Sequence, residues 1–155
     1  MTDRIDRKLE EMGLSLPTPA APVASYVATV DAGGLLHISG QLPFKDGKVV
    51  TGRLGENLDK VAGQEAAELC GLMLVAQIRA ALGHDLSRVE RIVKLNVFIN
   101  SAPDFTDQPE VANGASNLME ALFGDAGKHA RSAVGVAVLP RGAAVEVDAV
   151  VKLSN

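Results

Sequence analysis

The chain has no tryptophan, one tyrosine and four phenylalanines in 155 residues, so aromatic side chains cannot fill its core. Alanine, valine, leucine and glycine must do so, and little surface is left for stacking bases. A single cysteine, Cys70, excludes an intrachain disulfide and fits a reducing compartment. No run of basic residues occurs, and the formal net charge of −4 argues against a nucleic-acid surface. No apolar run approaches the roughly 20 residues that span a bilayer. Residues 1–11 are charged and lack an apolar centre, unlike a signal peptide. What remains is the expectation of one cytoplasmic domain, large enough for its own core.

Periodicity divides the chain into a leader, expected over residues 1–22, and a domain over 23–155. Ile5, Leu9 and Met12 share a face at helical spacing, which predicts a helix over residues 3–12 closed by Gly13. Pro17, Pro19 and Pro22 then predict an extended linker. Strands are predicted over 26–30, 35–39 and 48–51, the first two joined by an Asp31-Ala32-Gly33-Gly34 turn. A long helix is predicted over 57–82, with Leu58, Val61, Ala62, Leu69, Met73 and Ala76 in phase and Gly83 as its stop. Residues 91–100 read as a central strand, and residues 107–123 as a helix opened by Asp107 and Pro109. The order βββαβαββ predicts an α+β sandwich with two helices on one face of a largely antiparallel sheet. The other sheet face needs cover, and association with further copies of the chain is the simplest supply.

The last two strands carry the chemistry. Arg131 opens the first run, in Ala130-Arg131-Ser132, and Glu146 lies in the second, in Val145-Glu146-Val147-Asp148-Ala149. A lone charge among apolar residues needs a partner, water or a ligand. Arginine offers a rigid fork of donors that fits a carboxylate, and a nearby glutamate can move protons. Bland readings stand beside these: a surface ion pair for Arg131, solvated strand positions for Glu146 and Asp148, and a packing role for Tyr26. If the two strands formed a plain hairpin, Glu146 would lie roughly 20 Å along the strand from Arg131. Either the strands are not neighbours or the two residues meet through another arrangement.

These motifs resemble the reactive intermediate deaminase family, also called the RidA or YjgF family. The resemblance runs from about Val23 to Leu153. It rests on Ala130-Arg131-Ser132, Leu139-Pro140 and residues 145–149, with weaker support from Tyr26-Val27, Ile38-Ser39-Gly40-Gln41-Leu42-Pro43, Asp104-Phe105 and Asn113. It implies a chorismate-mutase-like fold. It also implies a homotrimer whose sheets line a central barrel, with sites in the clefts between subunits. The implied activity is hydrolysis of small 2-enamine and 2-imine acids, such as 2-aminoacrylate, to 2-keto acids and ammonia, with neither metal nor cofactor. By position, Arg131 matches the arginine that grips the substrate carboxylate and Glu146 the glutamate that acts on water. Tyr26 matches a tyrosine at the site mouth, contributed across the interface. Ser39, Gly40 and Asn113 match positions lining the cleft. The chain departs from the compact family pattern in its longer leader, in Ala133 where many members have cysteine, in His129 for a common proline, and in Gly135 where glutamate is frequent.

Two other readings remain. One is a non-catalytic binder of small carboxylates, anchored by Arg131 with Glu146 structural. The other is the endoribonuclease activity in the family's naming, which the acidic balance disfavours. The three histidines, His37, His84 and His129, lack metal-ligand spacing and read as structural, and Cys70 reads as a buried, inert thiol.

Overall fold

A computed structural model describes residues 3–155; Met1 and Thr2, the first residues of the expected leader, lie outside it. The elements run α1 (Arg4–Glu11), β1 (Thr29–Ala32), β2 (Leu35–Gln41), β3 (Phe44–Lys45), β4 (Lys48–Val49), α2 (Lys60–Ala81), β5 (Val89–Asn100), α3 (Gln108–Phe123), β6 (Ala130–Val136) and β7 (Val145–Leu153). The main sheet has five strands in the order β1-β2-β7-β5-β6. All neighbours are antiparallel except β5 and β6, which run parallel. A parallel pair requires a crossover, and α3 supplies it.

The expected α+β architecture holds, with two corrections. The third predicted strand lies outside the main sheet: Lys48–Val49 pairs only with Phe44–Lys45, in a separate hairpin around Asp46-Gly47. The first strand starts at Thr29, not Tyr26, because residues 24–26 form a bend tied by a Tyr26 N–H···O Ala24 bond. The sheet is largely antiparallel, as expected, and of the two arrangements left open for the last strands it takes the first: β6 and β7 are not neighbours, and β5 lies between them.

Both long helices cover one face. Helix α2 is capped by Asp59, whose carboxylate accepts the Ala62 N–H at 2.8 Å. It buries a nearly continuous stretch from Ala66 to Ile78 against α3 and the sheet. From β5 come Ile92, Leu95, Val97 and Ile99, and from β7 Val145, Val147, Ala149 and Val151, all essentially solvent-free. The leader helix α1 packs on this helical layer rather than on the open sheet face. Ile5 and Leu9 join the core, and Asp6 takes a two-pronged bond from Arg79 of α2 at 2.9 and 3.2 Å. The segment after α1 is held by Gln77, whose amide donates to Ala20 O at 2.8 Å. The far sheet face carries Glu146, Asp148 and Val150 of β7 and Asn96 and Phe98 of β5, all half-buried, with exposed Leu35 and His37 of β2 and Val134 of β6.

Candidate functional site

Arg131 lies on the edge strand β6 and shares register with Leu95, a buried residue of β5. Residues in register point to the same face, so Arg131 reaches toward α3. One terminal nitrogen, Nη1, donates to Asn113 Oδ1 at 2.8 Å and to Ser116 Oγ at 3.1 Å; Nη2 donates to Pro109 O at 3.3 Å. Three acceptors from one helix thus fix the guanidinium. The Nε–H and one Nη2 hydrogen remain, the side-on edge that matches a carboxylate. Arg131 lines a pocket of about 310 Å³ together with Asn117, Glu120, Lys128 and His129.

Glu146 lies on β7 in register with Phe98, on the open face. Its neighbour across the sheet is a bulge in β2. Ile38 pairs with Ala149 and Gln41 with Val147, so Ser39 and Gly40 together face Asp148. The bulge brings Gly40 against the Glu146 carboxylate, and a Cβ there would stand 2.9 Å from the carboxyl carbon. Burial, and then the charge of Asp148, push the Glu146 carboxyl above its ordinary range, favouring the protonated form. Asp148 accepts a bond from the Asn96 amide at 2.8 Å. Gly40 and Gln41 also border a small cavity of about 80 Å³ closed by Tyr26, Phe44 and Arg141.

The expected site residues therefore form two groups. Tyr26, Gly40 and Glu146 cluster beside the β2 bulge, and Asn113 and Arg131 lie between β6 and α3. Leu95 and Phe98 are three residues apart on β5, so the side chains in register with them lie on opposite faces. Along the strand and across two strand spacings, the Cα atoms of Arg131 and Glu146 are roughly 14 Å apart. Within one chain they cannot touch the same small molecule.

Two of the residues expected to line the cleft have hydrogen-bond partners within the chain. Ser39 donates its hydroxyl to Val27 O at 2.8 Å, and its N–H bonds Ala28 O, so it anchors the segment that carries Tyr26. Asn113 supports Arg131 through its carbonyl oxygen. Ser116 and His129 were not expected at the site. Ser116 stands three residues after Asn113 on α3, a same-face spacing, and His129 precedes Arg131 by two residues on β6's approach. His129 Nε2 lies 2.8 Å from Ser116 Oγ, and its Nδ1 lies 2.6 Å from Gly127 O. His37 and His84 are exposed, and Cys70 is buried, its thiol pushed well up by burial. Among the described residues no group of three His, Cys, Asp or Glu could hold a metal ion, and no helix is long and apolar enough to cross a membrane.

Comparison with known proteins gives a consistent family. Protein TCP17 of Trypanosoma cruzi is 56% identical over 154 residues, covering 98% of this chain and 96% of its own length. The 2-iminobutanoate/2-iminopropanoate deaminase of Dermatophagoides farinae is 26% identical over 140 residues, 89% of this chain and 93% of that one. The crystal structure of Atu1372 from Agrobacterium tumefaciens, a protein of unknown function, matches with a TM-score of 0.93 at 47% identity, covering 99% of this chain and 94% of that one. The model of the endoribonuclease L-PSP family matches residues 17–153. The chain thus belongs to the endoribonuclease L-PSP family, the RidA and YjgF family that its Arg131 and Glu146 motifs resemble.

Proposed function

We propose that this protein hydrolyses small 2-enamine and 2-imine acids to 2-keto acids and ammonia, in clefts completed by a second copy of the chain. The carrying observation is the division of the site. Arg131 presents an unused carboxylate-binding edge on one face, and Glu146 presents a carboxyl with a raised pKa on the other. Because Arg131 lies on an edge strand, a neighbouring copy wrapping round that edge would bring its open face, and its Glu146, to the Arg131 pocket. Half-exposed Val134 and Val30, on β6 and β1, supply apolar surface for such an assembly, and the family resemblance makes it a homotrimer.

In this reading Arg131 grips the substrate carboxylate by a two-pronged, charge-assisted pair. Glu146, holding its proton longer than an ordinary carboxyl, protonates the enamine carbon and yields the iminium. The resulting carboxylate then takes a proton from water as its oxygen adds to C2. That proton passes to the nitrogen, the C–N bond breaks, and ammonia leaves. Loss of the remaining hydroxyl proton gives the keto acid. Tyr26 closes the mouth, and Gly40 leaves room for the Glu146 carboxyl.

One observation favours binding without catalysis: the Arg131 pocket is built wholly within a single chain, without Glu146. Release of ammonia and keto acid from freshly generated 2-aminoacrylate separates the two. Acceleration by the wild type that is lost in Arg131→Ala supports the deaminase. Absence of acceleration, with 2-ketobutyrate still bound, leaves the carboxylate binder.

A further inference from the structure

The pocket around Arg131 contains a hydrogen-bond chain whose every proton is assigned by its partners. Gly127 O can only accept, so the His129 Nδ1 that lies 2.6 Å from it carries a hydrogen. In the neutral ring Nε2 is then an acceptor, and the Ser116 hydroxyl 2.8 Å away donates to it. With its hydrogen so directed, Ser116 Oγ turns a lone pair to Arg131 Nη1 at 3.1 Å. The first acceptor is firmly seated: Gly127 packs so tightly on α3 that a Cβ there would overlap the Met119 carbonyl.

The geometry points to His129 as a positioning residue for Arg131: acting through the Ser116 hydroxyl, the neutral imidazole fixes which guanidinium edge faces the pocket, so carboxylate binding weakens when His129 takes up a proton. This rests on the reading of Arg131 as the carboxylate anchor. On protonation Nε2 gains a hydrogen and must donate to Ser116 Oγ. The hydroxyl hydrogen loses its acceptor, and two cationic groups then share one oxygen. Burial, and then the Arg131 charge, hold His129 below its ordinary range; the Gly127 bond and the charge of Glu120 on α3 oppose them. The other charged group lining this pocket, Lys128, is paired with Asp125 at 3.0 Å. Protonation therefore sets in below the ordinary histidine range, and the loss of affinity belongs to the acid side.

Two measurements on the full chain test this. Nitrogen-15 NMR should find His129 as the Nδ1–H tautomer at pH 7.5. The Arg131 Nε–H resonance should shift with the midpoint of the His129 titration, a coupling that Ser116→Ala removes. An Nε2–H tautomer, or an Arg131 resonance indifferent to the titration, overturns the inference. Calorimetry with 2-ketobutyrate, ionised throughout, should show Kd weakening as pH falls below 7.5, with the midpoint of the His129 titration seen by NMR. His129→Gln, which keeps an acceptor near the Nε2 position but does not titrate, should bind like the wild type at pH 7.5 and lose the pH dependence; His129→Ala should bind weakly throughout. Intact binding that ignores pH, or strengthens in acid, overturns the inference and spares the anchor. Absence of 2-ketobutyrate binding beside an intact NMR coupling removes the anchor reading and leaves the coupling in place.

Discussion

Gly40 and Glu146 compete for one space: a Cβ at position 40 would meet the carbon of the Glu146 carboxyl at 2.9 Å and crowd one of its oxygens. The crowding arises because the β2 bulge sets two residues, Ser39 and Gly40, opposite Asp148 alone. The glycine is there for proximity, since its φ lies outside the left-handed region.

Gly40→Ala should therefore fold and still bind 2-ketobutyrate while turnover falls. The added methyl pushes the carboxyl aside, and a misplacement of about 1 Å can cost roughly 100-fold in rate. Steady-state kinetics on 2-aminoacrylate decides it. A reduced kcat with unchanged KM supports Glu146 as the proton-moving group; unchanged kcat removes it from the reaction.

Glu146 also predicts a pH-dependent stability of definite sign. Its carboxyl is held above the ordinary value of 4.5 by burial and by Asp148, so the folded chain binds this proton more tightly than the unfolded chain. The associated stabilisation is full below pH 4.5 and is lost as pH rises through the raised folded value. Above that value the ionised group is a burden that glutamine lacks. Glu146→Gln should melt above the wild type at pH 7, and the gap should close by pH 4. A lower melting temperature at pH 7 would mean that the carboxylate has a stabilising partner.

Arg131 should tolerate no substitution that changes its donor count. Asn113, Ser116 and Pro109 engage three of its hydrogens, and a carboxylate needs two more. Lysine has only three donors and no planar fork. Arg131→Ala and Arg131→Lys should both weaken 2-ketobutyrate binding by at least about 30-fold, the equivalent of about 2 kcal/mol for breaking a hydrogen-bonded charge pair. Calorimetry at pH 7.5 checks this, and lysine restoring wild-type affinity would show that charge alone suffices.

Local pattern made the helices and the strand faces legible, and pairing order was not. Helix α2 lies within the predicted 57–82 and α3 nearly fills 107–123, because apolar phase, Gly83 and Gly124 mark them. Asp148 shares Glu146's face, as alternation requires. The hairpin geometry had already shown that adjacent β6 and β7 would keep Arg131 and Glu146 apart. The insertion of β5 between them, with a parallel β5–β6 pair, depends on how α3 packs, and no single segment encodes that. Tyr26 misled for a local reason: its residue pattern suits a strand, but Ser39 bonds to Val27 and Ala28 hold this stretch as the approach to β1. Ser116 escaped notice and His129 read as structural because their meaning lies in a bond between a helix and a strand end, 13 residues apart in sequence.

The opposite faces of Arg131 and Glu146 make a further prediction that no single variant can test. If each active cleft takes Arg131 from one copy and Glu146 from another, two inactive variants should complement each other. Arg131→Ala and Glu146→Gln, co-expressed with different tags and purified through both, form mixed assemblies. In a cyclic trimer of either composition, about one cleft in three pairs an intact arginine with an intact glutamate. Deaminase activity should return to about that fraction of wild type, while each variant alone stays inactive. Recovery near one half would point instead to a two-fold assembly with the same shared site. A mixed assembly as inactive as its parents would mean that the two residues serve separate sites, and the carboxylate-binding reading of the Arg131 pocket would then stand alone.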